Sequence, residues 1–357
     1  MGRSADVASP LDGLAACFGI AGPGSTNLLT GLYDAKADRA PVLAISGQVP
    51  SSVKGRGAFQ DLDLESAFDD VADYSETIHA GSNHAELMNL ACKHAIVGRG
   101  VSHGIADYKP TIQVDLDPMA LGRFHAVDVP LLGHVGGTAE ALAQAMTDMP
   151  HRADRRGEVA ERWQIWRDEK ARRREDDHHQ GVSSAIVFDA LSHAVAPDAA
   201  MAVDVGNNPY SFGRYFEVVD QSVVMSGYLG SIGFALPAAM GLWAAVGDTR
   251  QVVAVCGDGG LGQYAMELTT AVKYGMDITV VLLDNSELGK ISKEQRSAEL
   301  DVWQTGLHNP DFAAFAQLCG AWGRRVTEAK AVPDAIAAAL AHQGPALVDI
   351  VTDATLV

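Results

Sequence analysis

The chain has 357 residues, of which 47% are hydrophobic, so it can form two or three domains with substantial cores. Its formal net charge of −18 makes the phosphate backbone of a nucleic acid an unfavourable partner. Its four cysteines are widely spaced and match neither a zinc pattern nor a disulfide framework. Residues 1–10 lack the pattern of a signal peptide, and the longest apolar stretch, residues 232–246, is too short to cross a bilayer. These features favour a cytoplasmic enzyme without a membrane span.

Residues 17–47 predict a strand, a tight turn, a helix and a second strand. The turn is the Gly-Pro-Gly sequence of residues 22–24, and either Ser25 or Thr26 is expected to cap the helix. The second strand covers residues 41–46. Two consecutive strand–helix units favour a parallel sheet.

Residues 151–180 form the clearest linker. They mix nine Lys and Arg with eight Asp and Glu, a composition typical of a solvated helix. An arginine-rich patch that binds nucleic acid is the alternative, which the acidity of the whole chain disfavours. The pair His178-His179 could bind a metal, but in a polar linker we expect it to be solvated.

The segment that follows the linker contains short apolar runs that end in polar or glycine-rich turns. The run at residues 201–205 precedes Asn207 and Asn208, and the run at residues 223–225 precedes the glycine-rich residues 227–234. Ligands of open parallel sheets bind at the carboxyl ends of the strands, so Asn207 and Asn208 are candidate contacts for a ligand at this edge.

Residues 252–292 are the stretch around which the chain is organised. The β-branched run 252–255 predicts a buried strand that enters the sequence Gly-Asp-Gly-Gly at residues 257–260. A helix with one apolar face follows and is expected to end at Gly275. A second buried strand, residues 278–283, then leads to a loop that starts with Asp284-Asn285.

Asp258 and Asn285 therefore end two successive strands and are expected to lie at one edge of the sheet. A carboxylate and an amide oxygen are hard ligands that suit Mg²⁺ or Ca²⁺. The adjacent helix N-terminus offers free N–H groups and a partial positive charge to an anion. A divalent cation together with a diphosphate satisfies both features.

This stretch resembles the motif of thiamine-diphosphate enzymes, in which Gly-Asp-Gly is followed downstream by Asn-Asn. The first Asn is replaced by Asp284, whereas the second is kept as Asn285. The resemblance implies that Asp258 and Asn285 bind Mg²⁺ through their side chains and that Glu287 binds it through its carbonyl. The diphosphate-binding residues that it implies are Gly257, Gly259, Gly260 and Leu261, and the position of Asn207 and Asn208 at the same sheet edge adds them as further contacts.

Residues 22–47 resemble the pyrimidine-binding domain of the same enzymes, with Asn27 and Gly47 in place. Residues 58–61, Ala-Phe-Gln-Asp, resemble a loop of the acetolactate synthase and pyruvate oxidase branch that lines the active site of the partner subunit. The resemblance therefore implies a homodimer or homotetramer with active sites at the subunit interface, and Gln60 is a candidate catalytic residue.

The segment around Ile232 resembles the sequence that supports the bent cofactor in this family. The resemblance implies that Ile232 props the thiazolium ring, that Gly230 meets the aminopyrimidine through its backbone, and that Ser231 belongs to the same site. Glu294 lies where the pyruvate oxidase version of the next helix has an acid that faces the substrate. A salt-bridged surface position is the alternative for Glu294.

The chain also departs from the family. Residues 111–117 resemble the last strand of the middle domain, but most of that domain has no counterpart, and no glutamate precedes Gly22 in the sequence to activate the thiamine. Two explanations stay open: a truly shortened protein, or residues left out around the junction of His103 and Gly104. The second is favoured because excising a domain interior exposes apolar surface and strand edges. FAD is expected only if the parent protein has the middle domain.

The predicted fold is α/β, with two doubly wound parallel-sheet domains that bind thiamine diphosphate and a remnant of the middle domain. One domain is of the pyrimidine type and the other of the diphosphate type, and the predicted boundaries are residues 1–103, 104–150, 151–180 and 181–357. The predicted function is decarboxylation of pyruvate or a related 2-oxo acid with thiamine diphosphate and Mg²⁺, most like pyruvate oxidase. An acetolactate synthase-type carboligase and a cofactor-binding scaffold of weak activity are the alternatives.

Overall fold

The structure is a computed structural model that describes residues 14–38, 40–79, 81–95, 110–122, 126–147, 154–227 and 229–355. Internal contacts divide the chain into two compact units, Met1–Ile96 with Arg167–Val357 and, separately, Val97–Trp166. The junction of His103 and Gly104 lies outside the described residues. The four-part division of the chain stays a prediction.

The N-terminal part of the first unit is built on two parallel strands, as predicted. Its elements are β1 (Ala15–Gly19), α1 (Pro23–Thr26), α2 (Leu29–Ala37), β2 (Val42–Ser46), α3 (Leu64–Phe68) and α4 (His84–Ala95). Ala15 pairs with Val42 and Gly19 with Ser46, and a small core that includes Leu28 and Phe68 lies beside the strands.

The prediction that Ser25 or Thr26 caps the first helix is wrong. Gly22 occupies the N-cap position of α1 and no side chain caps it. The Ser25 hydroxyl instead donates a 2.8 Å hydrogen bond to the carbonyl of Ile20, because the turn places Ser25 back over the end of β1. The hydroxyl therefore closes the turn rather than the helix.

The second unit contains a short parallel strand pair and two helices. Its elements are β3 (Ile112–Asp115), β4 (Val129–Leu132), α5 (Val135–Ala145) and the first part of α6 (Arg156–Arg174). Helix α6 lies within the mixed-charge segment 151–180. Within the first unit its last turns are held by ion pairs: Lys170 is only 6% exposed, with its ammonium 3.3 Å from Asp189 and 2.9 Å from Glu217. The expectation of a fully solvated linker is thus wrong at Lys170.

The C-terminal part of the first unit is a six-stranded parallel sheet. Its strands are β5 (Ala200–Val203), β6 (Ser222–Met225), β7 (Val252–Gly257), β8 (Ile278–Asp284), β9 (Trp322–Val326) and β10 (Ala346–Val351). They lie in the order β6-β5-β7-β8-β10-β9. The chain winds outward in both directions from β5 and β7, which is the doubly wound arrangement predicted for this part.

Helices cover both faces of this sheet. They are α7 (Ser184–Ala194), α8 (Asn208–Tyr215), α9 (Ala235–Val246), α10 (Asp258–Tyr264), α11 (Glu267–Tyr274), α12 (Gly289–Ser297), α13 (Phe312–Leu318) and α14 (Val332–Leu340). Val253 and Val255 of β7 face a core shared with α7 and α14, whereas Val252 and Ala254 face a core shared with α9 and α13. Successive strand residues point to opposite faces, so a sheet buried on both sides requires a continuous apolar run.

The helix predicted after β7 is two helices, since α10 ends at Tyr264 and α11 begins at Glu267. Gly275 adopts the left-handed conformation, with φ of 60°, and ends α11 as predicted. In the described part of the chain, no helix is both long enough and apolar enough to cross a bilayer.

Candidate functional site

Four neighbouring strands of the large sheet end at one edge, and the polar and glycine-rich turns follow them there. Val203 of β5 pairs with Val255 of β7, and Gly257 of β7 pairs with Leu283 of β8. The parallel register thus places Asp204 beside the end of β7 and Asp258 beside the end of β8. This edge is the site that the sequence predicts.

Asp258 is the most constrained side chain of the site. It is 4% exposed; its Oδ1 atom accepts from the Gly259 amide at 2.9 Å, and its Oδ2 atom accepts from the Ser286 amide at 2.6 Å. Asn309 donates a third bond to Oδ2 at 2.8 Å. Burial raises the pKa of the Asp258 carboxyl to about 6, against these hydrogen bonds, and the charge of Asp284 adds to the rise. A cation beside this carboxylate would remove the cost of its burial.

The bond between Asp258 and Ser286 brings the two predicted metal ligands together, because Ser286 directly follows Asn285. Ser286 has a φ of 55°, a left-handed conformation that turns the chain sharply at this point. The Asn285 Oδ1 atom accepts from the Glu287 amide at 3.0 Å. The Glu287 carbonyl accepts from the Gly289 amide at 2.8 Å. Asn285 and Glu287 therefore lie in one compact turn, and Asp258, the third residue of the predicted metal set, bonds to that turn through Ser286.

Three glycines of the site are needed because of close approach. A Cβ atom at Gly260 would overlap Oδ2 of Asp204, and one at Gly259 would lie 2.7 Å from Cδ2 of Leu288. A Cβ atom at Gly289 would lie 2.7 Å from Nδ2 of Asn207. A side chain at any of these positions would therefore force a neighbouring side chain to shift into the turns, which the glycines keep open.

Asn207 supplies a polar atom that fits an anion. Its Nδ2 group is buried and has no hydrogen-bond partner among the described residues. A buried donor without a partner costs about 1–3 kcal/mol, which a phosphate oxygen would recover. Asn208 is 7% exposed and lies against Gly257, where a Cβ atom would be 3.1 Å from its Nδ2.

The residues present therefore fit a diphosphate with a divalent cation. Asp258 and Asn285 offer oxygen atoms, and Asn207 and the start of α10 offer N–H groups. The part of the chain that the structure describes contains no group of three or more His, Cys, Asp or Glu that could hold a metal by itself. A cation at this edge would complete its coordination with oxygen atoms of the diphosphate.

The loop that contains Gly230, Ser231 and Ile232 is held by Asp204. The Oδ1 atom of Asp204 accepts from the amides of Gly233 at 2.9 Å and Phe234 at 3.3 Å. Burial raises the pKa of this carboxyl to about 6. Ile232 lies across the glycine-rich turn, where a Cβ atom at Gly259 would be 3.8 Å from its Cδ1.

A second carboxylate, Asp34 of α2, reaches the same loop. It is 1% exposed and accepts a 2.5 Å hydrogen bond from the Ser226 hydroxyl. The Ser226 oxygen in turn accepts from the Ser231 amide at 2.9 Å. Sequence analysis did not single out Asp34, Asp204 or Ser226. Of the three, only Asp204 could have been recognised from the sequence, because it directly follows a predicted strand.

The two candidate catalytic residues lie on other elements, and their roles stay predictions. Gln60 has a left-handed φ of 63° and packs on the Gly-Pro-Gly turn, where a Cβ atom at Gly22 would be 2.8 Å from its own Cβ. Glu294 of α12 forms an exposed ion pair with Lys290 at 3.0 Å. The Lys290 ammonium also lies over the ring of Tyr210, 5.0 Å from its centroid.

Two family models match the chain. The N-terminal thiamine pyrophosphate (TPP) binding domain of thiamine pyrophosphate enzymes matches residues 2–67, and the C-terminal TPP binding domain matches residues 204–350. Thiamine pyrophosphate is another name for thiamine diphosphate. The C-terminal match covers the whole glycine-rich edge of the large sheet.

Comparisons with individual proteins agree with the two family models. The thiamine pyrophosphate-containing protein YdaP of Bacillus subtilis is 29% identical, over 94% of this chain and 79% of the relative. An acetolactate synthase of Arthrospira platensis is 25% identical over 94% and 82%, and a pyruvate oxidase of Lactiplantibacillus plantarum is 22% identical over 94% and 77%. The match to YdaP runs over 461 residues, more than the 357 of this chain, so internal segments of that relative have no counterpart here. The chain belongs to the thiamine pyrophosphate enzyme family.

Proposed function

We propose that this chain binds thiamine diphosphate and Mg²⁺ at the edge of the large sheet and decarboxylates pyruvate or a related 2-oxo acid. The observation that carries the proposal is the turn in which Asp258 bonds to the residue after Asn285. The buried, unpartnered donor of Asn207 supports it, because it lies against the same turn at Gly289.

The roles of the residues follow from their chemistry. Asp258 and Asn285 would hold Mg²⁺, with the Glu287 carbonyl as a third ligand, and the amides of Gly259, Gly260 and Leu261 would bind the diphosphate. Gly257 would let the chain turn closely beneath it, and Asn207 and Asn208 would flank it.

The loop that Asp204 holds would contact the thiazolium and aminopyrimidine rings of the cofactor. Its contacting residues would be Gly230, Ser231 and Ile232. When bound, thiamine diphosphate would supply a nucleophilic carbon for the 2-oxo acid carbonyl and a cationic ring as the electron sink for loss of CO₂. The protein orients the cofactor and excludes water.

The substrate and assembly are parts of the same proposal. A pyruvate oxidase and an acetolactate synthase are among the relatives, so oxidative decarboxylation is the first candidate and carboligation the second. Flavin belongs to the proposal only for a protein that carries the middle-domain segment. Gln60 and Glu294 are the proposed catalytic residues, with Gln60 acting at the partner's site in a homodimer or homotetramer.

Two observations support the proposed homo-oligomer and a cytoplasmic location. Phe59, next to Gln60, is 87% exposed, as suits a loop that reaches a second subunit. The four cysteines are free, as suits a reducing cytoplasm.

The test is turnover of pyruvate by the purified protein with thiamine diphosphate and Mg²⁺. We expect CO₂ release that Asp258→Ala abolishes. Formation of acetolactate would select carboligation over oxidation. CO₂ release that is the same in Asp258→Ala would refute the assignment of the metal site.

A further inference from the structure

Two buried carboxylates at the site share one amide group. Asn309 donates from Nδ2 to Oδ2 of Asp258 at 2.8 Å and to Oδ1 of Asp284 at 2.7 Å. Asp258 is 4% exposed and Asp284 is 2% exposed. Asn309 lies 51 residues after Asp258 and 25 after Asp284. The bridge therefore depends on the fold of the loop before α13.

The chemistry of the bridge requires an amide nitrogen. Both neighbours are oxygen acceptors, and an NH₂ group has two hydrogens, one for each. A carboxylate at position 309 would add a third negative charge. An alkyl group would remove the side-chain donor from both carboxylates and leave Oδ2 of Asp258 with the Ser286 amide alone. Asn309 thus satisfies both carboxylates without adding charge.

Arg325 neutralises only part of the negative charge of the carboxylates around Asn309. Its guanidinium lies 3.2 Å from Oδ2 of Asp284 and also pairs with Asp349 on the intervening strand β10. Asp258, by contrast, receives only neutral donors within the described part of the chain. Asp284 therefore has an arginine that it shares with Asp349, whereas the bonds to Asp258 leave its charge for a cation.

This arrangement accounts for the departure of the sequence from the Asn-Asn motif. The acid at position 284 pairs with Arg325 through Oδ2 and accepts from Asn309 on Oδ1. Asp284 thereby anchors the amide that fixes Asp258.

We propose that Asn309 is a positioning residue that holds the Asp258 carboxylate for metal binding, with the Asp284–Arg325 ion pair as its anchor. The proposal rests on the proposed binding of Mg²⁺ and thiamine diphosphate at this edge. Groups that orient a metal ligand typically contribute about 10–100-fold to metal affinity. Asn309 acts through Asp258 and needs no contact with the cofactor.

The test compares Mg²⁺ titrations at saturating thiamine diphosphate in the wild type, Asn309→Ala and Asn309→Ser. We expect the Kd for Mg²⁺ to rise about 10–100-fold in Asn309→Ala, and to rise less in Asn309→Ser, whose single hydroxyl can serve only one carboxylate. The matched control is Gln317→Ala. That change removes a side-chain amide bonded to the Gly323 carbonyl at 2.8 Å, away from both carboxylates, so its Kd should equal that of the wild type.

The outcomes separate the two proposals. A wild type without Mg²⁺-dependent cofactor binding would refute the proposed function and, with it, the role of Asn309. A wild type that binds, with an unchanged Kd in Asn309→Ala or Asn309→Ser, would overturn the positioning role alone. An equal loss of affinity in Gln317→Ala would also overturn it, because the effect would then be a general one of the α13 region. If Asn309→Ala does not fold, Asn309→Ser decides between these results.

Discussion

Substitution of Gly260 by alanine tests how tightly the glycine-rich turn is packed. A Cβ atom there would overlap Oδ2 of Asp204 and lie 3.1 Å from the Gly233 amide nitrogen. Neither can retreat easily, because Asp204 is 1% exposed and bonds to that same amide. Overpacking costs about 1–3 kcal/mol, and loss of the Asp204 hydrogen bonds adds about 1 kcal/mol.

Gly262, in the same helix, is the matched control. A Cβ atom at Gly262 would meet nothing within 4 Å. Alanine in a helix interior is about 1 kcal/mol more favourable than glycine, so Gly262→Ala should stabilise the protein. Both substitutions add one methyl group to a glycine of α10, and their effects on stability are expected to have opposite signs.

The assay is thermal unfolding of the cofactor-free protein by circular dichroism. We expect Gly260→Ala to lower the Tm by about 4 °C or more and Gly262→Ala to raise it by about 2 °C. A Tm for Gly260→Ala at or above that of the wild type would refute the packing described for Asp204 and the turn.

Two further predictions concern charged groups. The folded-state pKa of Asp204 is raised to about 6 from an ordinary value of 3.8. Between these two pH values the carboxyl ionises only in the unfolded chain, so its contribution to the free energy of unfolding is lost as the pH rises toward 6. The free energy of unfolding, measured against pH, should therefore fall less over this range in Asp204→Asn than in the wild type. Parallel curves for the two proteins would contradict this. Lys170→Met should lower the stability by about 1–3 kcal/mol in urea titrations, because Asp189 and Glu217 lose a buried partner, and an unchanged midpoint would show that α6 docks without it.

The sequence predicted the large sheet well because its strands are buried on both faces. The apolar runs at 252–255 and 278–283 became β7 and β8, which extend to Gly257 and Asp284, the first residues of the two turns. Glycine at 275 ended a helix, since a left-handed residue is required there. Periodicity alone did not reveal the break between α10 and α11, because the apolar positions continue through it on one face.

The supports of the site could not be predicted because they come from distant segments. Asn309 sits in a loop without periodicity, and Asp34 lies in a helix whose sequence shows only an ordinary apolar stripe. Their partners, Asp258 and Ser226, are 51 and 192 residues away. Side-chain hydrogen bonds over such separations follow from the fold and leave no local pattern.

The most direct test of the central claim is calorimetric titration of thiamine diphosphate into the protein, with Mg²⁺ and then with EDTA. Binding should be clear with Mg²⁺ and lost with EDTA, because Asp258 and the diphosphate are both anionic and need the cation between them. Asp258→Ala should bind no better with Mg²⁺ than the wild type does with EDTA. Equal affinity with Mg²⁺ and with EDTA, or unchanged affinity in Asp258→Ala, would contradict the assignment of this edge as the cofactor site.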